Sequence, residues 1–146
     1  PLPPTASEIV QLHRFLSSDS RWGLAYFDDT SMLFIQRDEA ARKGVPVFTY
    51  LSPFVGADEI LKSKPNGAEL LARDFEIGES INPNSVAFLT MKTRFLKSIG
   101  QTDKATETAK RMVTLCTAID PSELCRANAR RQLMGMGRYD VARELQ

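Results

Sequence analysis

Two stretches decide the fold: Gly100-Gln101-Thr102-Asp103-Lys104-Ala105 and Gly137-Arg138-Tyr139-Asp140-Val141-Ala142. They share glycine, aspartate and alanine at the same offsets, 37 residues apart. Ala68 stands another 37 residues before Ala105, and Pro83 and Pro121 recur at 38. A glycine just past an apolar helical stripe ends a helix, because it adopts the left-handed conformation that a side chain resists. Two helices per unit, repeated at this interval, predict an array of stacked antiparallel helix pairs.

The segments around these glycines carry the expected stripes. Asn84 or Ser85 is placed to cap a helix in which Phe88, Met91, Phe95 and Ile99 recur every three or four residues, with Leu89 and Leu96 widening the face. Thr102 to Ala118 should bury Ala105, Ala109, Met112, Val113 and Cys116, stopping before Asp120-Pro121. Ser122 to Met136 carries Cys125, Ala129, Leu133 and Met136, and another helix opens at Arg138. Farther back, Ala68 to Ile81 aligns Ala68, Leu71, Ala72, Phe75 and Gly78 before Asn82-Pro83. Asp58 to Lys64 reads as a short helix ended by Pro65-Asn66-Gly67.

The first third is mixed. Thr5 or Ser7 can cap a helix to about Ser18, with Ile9, Leu12, Phe15 and Leu16 on one face and His13 beside them, partly exposed. Trp22 to Phe27 and Met32 to Gln36 flank Asp28-Asp29-Thr30-Ser31, which predicts a β-hairpin with the aspartates engaged in turn chemistry. Arg37 to Lys43 is a short helix closed by Gly44, and Val45 to Leu51 a third extended segment that Pro46 confines to an edge. Ser52-Pro53-Phe54-Val55-Gly56 is a loop. The expected fold is therefore α+β, mostly α: a small unit over 1–56, then helical repeats over 57–146.

Composition narrows the chemistry. Nineteen basic and eighteen acidic residues leave a net charge of +1, which exerts no general pull toward nucleic acid or anionic membrane. No apolar stretch approaches the roughly 20 residues of a membrane span. With two cysteines and one histidine, the short-spaced ligand pairs of a structural zinc site are missing, and no cofactor is expected. Cys116 and Cys125 fall at apolar helix positions, where a free thiol behaves as a small buried hydrophobe; a disulfide requires their Cα atoms within about 7 Å. The start at Pro1 without methionine and the stop at Gln146 within a helical pattern are those expected of a piece of a longer protein.

Gly137-Arg138-Tyr139-Asp140-Val141-Ala142, with its weaker copy at Gly100, resembles the turn and second-helix start of a tetratricopeptide repeat. The period is longer than the roughly 34 residues of that family. Lys92, Thr93, Arg126 and Arg130 stand where the resemblance calls for large apolar or small residues. The hairpin, Trp22 to Asp29 followed by Met32 to Arg37, resembles the extracytoplasmic tails of bacterial polytopic membrane proteins of the mannosyltransferase type. That likeness implies a periplasmic location and a glycosyltransferase-associated role, with any catalytic carboxylates outside this chain; a cytoplasmic location is the alternative.

No nucleophile elbow, phosphate loop, dinucleotide fingerprint or zinc-protease motif occurs. Asp58, Glu59, Asp74, Glu76 and Glu79 read as spread along polar faces, and Met134-Gly135-Met136-Gly137 as packing at a helix end. The expected job is non-catalytic binding of a protein or peptide, since stacked helix pairs make concave surfaces. Lys92, Arg126, Arg130, Arg131 and Arg138 are the candidate partner-binding residues, because guanidinium forks grip carboxylate or phosphate oxygens in pairs. An open apolar face at the last helix would favour self-association.

Overall fold

Glycine bends organise the helical part. The computed structural model describes the backbone of residues 6–53 and 55–145 and, within them, the side chains from Gln11 onward. The order is α1 (Ala6–Ser18), β1 (Trp22–Phe27), β2 (Met32–Gln36), α2 (Arg37–Lys43), α3 (Ala57–Ser63), α4 (Gly67–Ile81), α5 (Val86–Ser98), α6 (Thr102–Thr114), a π-helical segment (Leu115–Ile119), α7 (Glu123–Gly135), α8 (Tyr139–Ala142) and a 3₁₀ turn (Arg143–Leu145). The chain is mostly helical, with one small antiparallel hairpin. Capping by Thr5 or Ser7, the place of Ile9 on its stripe, and Phe54 lie outside the described residues.

α5 and α7 have the same frame. The Ser85 hydroxyl accepts from the Phe88 N–H at 3.2 Å, and the Ser122 hydroxyl from the Cys125 N–H at 3.1 Å. Each serine opens a helix of 13 residues. At the far ends, Gln101 N–H donates to the Leu96 carbonyl and Arg138 N–H to the Leu133 carbonyl, both at 2.8 Å. Gly100 and Gly137 take φ of 77° and 75° and donate to Lys97 and Met134. These are paired Schellman closures, which satisfy the last carbonyls of each helix before the chain turns back. The third copy does not hold: the position 37 residues before Gly100 is Ser63, inside α3, the nearest left-handed glycine upstream is Gly44 at the end of α2, and Ala68 is exposed where Ala105 and Ala142 are buried.

Between the two units the chain loosens its winding. Asp120 N–H donates to the Leu115 carbonyl five residues back, at 2.7 Å. Cys116 and Cys125 face each other across this corner with Cα atoms 5.3 Å apart, and are joined as a disulfide. Both are buried, as apolar positions should be, but the expectation of free thiols is corrected.

The amino-terminal unit shares the core of the helices. One cluster of buried residues runs from Leu24, Phe27, Phe48 and Leu51 into Leu71, Phe75 and Phe88. Phe27 packs on Phe48 and Phe88 with ring centroids 5.5 and 6.4 Å apart. Leu24 pairs with Phe34 and Tyr26 with Leu33, so Ala25 is an extra residue that bends β1. The expected third strand is a single bridge, Phe48 to Leu24. Its next three N–H groups, of Thr49, Tyr50 and Leu51, all turn to the Asp74 carboxylate at 2.6–3.0 Å. Three consecutive donors aimed at one acceptor cannot alternate across a ladder. Asp74 is thus 1% exposed, not on a polar face.

α1 also sits differently from its stripe. Leu12 and Phe15 are 58% and 59% exposed, and His13 is buried. The His13 Nε2 lies 3.1 Å from the Ser17 hydroxyl and 3.4 Å from that of Ser52, and the ring meets the Phe34 ring at 5.6 Å. Hydroxyl partners let the imidazole go inward.

Candidate functional site

Both aspartates of the hairpin turn act on backbone donors. Asp28 accepts from the Thr30 and Ser31 N–H groups at 2.8 and 2.7 Å and from the Tyr26 hydroxyl at 2.7 Å. Burial pushes its pKa up, but these hydrogen bonds outweigh it and hold the carboxyl below the ordinary value. Asp29 reaches the start of α5 and accepts from the Val86 and Ala87 N–H groups at 2.9 and 2.7 Å. The hairpin thereby fixes the end of a helix that forms one wall of a groove.

That groove, about 570 Å³, runs along α4, α5 and α6. Its floor is apolar: Phe75 stacks on Phe95 with centroids 4.9 Å apart, and Leu96 extends it toward the Gly100 bend. Gly78 lets α4 approach closely, since a Cβ there would overlap the Phe88 ring. Glu79 on α4 takes Lys92 Nζ at 2.6 Å and Arg111 at 2.6 and 3.1 Å. Arg111 also donates to the Pro83 carbonyl at 3.3 Å. Burial raises the Glu79 carboxyl, but the Arg111 and Lys92 hydrogen bonds lower it further, so its pKa lies below the ordinary 4.5. Two cations share one carboxylate on the rim of an apolar trough. A second carboxylate or a polar backbone entering the groove would find donors there, and apolar side chains would find the aromatic floor.

The five cationic residues selected from the sequence go to separate surroundings. Lys92 lines this groove. Arg126 and Arg130, one turn apart on α7, have no carboxylate within bonding reach among the described residues; Arg130 lines a small cavity with Met134, Tyr139 and Arg143. Arg131 donates to the Asn128 side-chain oxygen at 3.0 Å and lines a different cavity with Asp29. Arg138 pairs with Asp140 at 3.1 Å and donates to the Thr106 hydroxyl at 2.8 Å. Of the helix-end methionines, Met136 packs on the core and Met134 is 43% exposed.

Arg111, Glu79 and Arg143 were not selected from the sequence as binding residues. Glu79 and Arg111 meet across 32 residues, beyond any local pattern, and Arg143 follows the last bend. Ser17 is legible as a partner of His13, four residues on along one helix. The His13 pKa is lowered by burial and by the neighbouring Arg14. Among the described residues no group of three or more His, Cys, Asp or Glu is arranged to hold a metal ion. No described helix is long and apolar enough to cross a membrane. Comparison of the chain with family models, with curated proteins and with solved structures finds no match.

Proposed function

We propose that this chain is a non-catalytic interaction module whose helix pairs, similar in plan to tetratricopeptide repeats, bind a peptide segment of another protein in the α4–α6 groove. The observation that carries the reading is the groove itself: an aromatic floor of Phe75 and Phe95 bordered by the Glu79 cluster with Lys92 and Arg111. Such a mix suits a peptide, which offers apolar side chains and backbone polar groups together. The repeated Schellman bends support the array that makes the surface concave. The module works on the extracytoplasmic side of a bacterial membrane in this reading. The hairpin resemblance implies that side, and the Cys116–Cys125 disulfide suits an oxidising compartment.

Ala72 offers a direct test, because it lines the groove from an exposed position on α4. Peptides selected from a displayed random library against the wild-type chain should lose at least about tenfold in affinity, roughly 1.4 kcal/mol, when Ala72→Trp fills the trough. Thermal unfolding of the variant should stay close to wild type. Selection that enriches no peptide, or peptides indifferent to Ala72→Trp, would remove the groove as the binding site.

A further inference from the structure

The two units can be laid on each other at the 37-residue interval, and this isolates one edge. In the first unit, Leu89 and Thr93 on α5 are buried, and the Thr106 hydroxyl on α6 receives the Arg138 guanidinium of the following unit at 2.8 Å. The positions 37 residues on are Arg126, Arg130 and Arg143. Three places that are covered or engaged in the first unit are arginine in the second. None of these guanidinium groups has a carboxylate or other hydrogen-bond partner among the described residues, and what sets two of them apart is that they meet at one cavity.

Arg130 and Arg143 come from different elements to line one cavity of about 250 Å³, with Met134 and Tyr139 between them. Tyr139 is 58% exposed and Met134 43%. We propose that this α7–α8 edge is a docking surface for an acidic peptide segment of a partner protein. Its carboxylates would be gripped by Arg130 and Arg143, with Arg126 one turn away, and an apolar side chain of the segment would lie on Tyr139 and Met134.

Charge decides between occupants. Continued stacking of helix pairs would place these arginines where Leu89 and Thr93 are buried, which strands unpaired cations away from water. A second copy meeting this edge about a two-fold axis would set the same arginines against one another. An acidic segment supplies the missing charge and accepts both forks of each guanidinium. A nucleic acid would want a broad basic field, and the chain's net charge is only +1. The edge is separate from the α4–α6 groove, and the inference stands whatever that groove binds.

The test is an amide and side-chain NMR titration of the whole chain with a synthetic peptide, blocked at both ends, of glutamates with interspersed leucine and phenylalanine. Resonances of Arg126, Arg130, Tyr139 and Arg143 should move and saturate, and added salt should weaken binding. Arg130→Glu with Arg143→Glu should cut affinity by at least about tenfold, and Arg130→Lys with Arg143→Lys should retain part of it. Ala72→Trp should leave this titration unchanged, which separates it from the groove. The inference is overturned if the same peptide with lysine for glutamate moves the same resonances, or if the charge reversal has no effect. It also fails if inorganic phosphate alone reproduces the shifts, or if sedimentation shows a dimer that the charge reversal dissolves.

Discussion

The unit of α5 and α6 and the unit of α7 and α8 are built on one frame and held by different means. In both, the first helix begins at a capping serine and closes on a left-handed glycine. The residue whose N–H each serine receives is Phe88 in the first and Cys125 in the second. Phe88 lies among Phe27, Phe75 and the close approach at Gly78, so packing from both halves of the molecule anchors it. Cys125 is anchored by a covalent bond to the preceding corner. A second helix of 13 residues completes the first unit, but α8 has only four before its 3₁₀ turn. One local frame therefore carries two kinds of anchor, an aromatic cluster in the first unit and a disulfide in the second.

Removing the packed anchor should have the largest effect. Phe88 is 1% exposed, and Phe88→Ala should cost about 3–5 kcal/mol, through lost burial and the cavity left beside Phe27 and Phe75. Urea unfolding would read it as a lower midpoint. Because the cluster spans the hairpin and the helices, the loss should be global. A loss confined to α5 and α6 in hydrogen exchange would break the view of one shared core.

The covalent anchor comes next. Its closed loop spans a sequence separation of 9, which the chain-entropy relation converts to about 2–3 kcal/mol. Replacing Cys116 and Cys125 with serine together should lower the unfolding free energy by that amount, read as a lower urea midpoint. The fastest-exchanging new amides should lie in α7 and α8, with those of α5 little changed. Equal loosening of both units would mean that the second leans on the first more than its contacts imply.

What the sequence made legible divides along the same line. Helix ends, the hairpin and the glycine bends follow from residues within a few positions, and these lie where Gly44, Gly100, Gly137 and the Asp28 turn indicate. The two-unit interval is equally local in origin. Hidden were the choices made between distant residues. Asp74 and Thr49 meet across 25 residues, and that contact turns an expected strand into a cradle. α1 carries Leu12 and Phe15 at helical spacing, yet the side presented to the core is the one from which His13 reaches the hydroxyl of Ser52. Periodicity locates a stripe but does not select the neighbour. Of the residues proposed for the α7–α8 docking edge, the Arg126–Arg130 pair was legible as one helix face, while the closing Arg143 depends on the path after the last bend.

A smaller effect probes how the first helix of each unit begins. Besides its own serine, α5 has Asp29 from the hairpin on two of its first amides; among the described residues α7 has no such visitor. Asp29→Ala should cost about 1 kcal/mol, the ordinary value of a lost cap with its favourable charge at a helix start. Protection should fall first at Val86 and Ala87. The same readout in Asp29→Asn should show partial retention, because the amide oxygen can serve one of the two donors.

The smallest effect is set by pH, through the carboxylate that ties α4 to the first unit. Glu79 joins α4 to Lys92 and Arg111 of that unit, and its side chain is 28% exposed, so solvent screens much of the attraction and each pair contributes about 1 kcal/mol or less. Its folded pKa lies below the ordinary 4.5. A carboxyl of lowered pKa binds fewer protons folded than unfolded, so stability rises with pH across the interval between the two values. The Glu79 contribution is therefore complete above about pH 4.5 and is lost as the pH falls through the lower, folded value. Glu79→Gln should lower the melting temperature slightly at neutral pH and converge on wild type in acid. Convergence fails if Lys92 and Arg111 hold the groove's shape without the charge on Glu79. In that case the two melting curves should run parallel through the acid range, and the difference between the units would reside wholly in their apolar and covalent anchors.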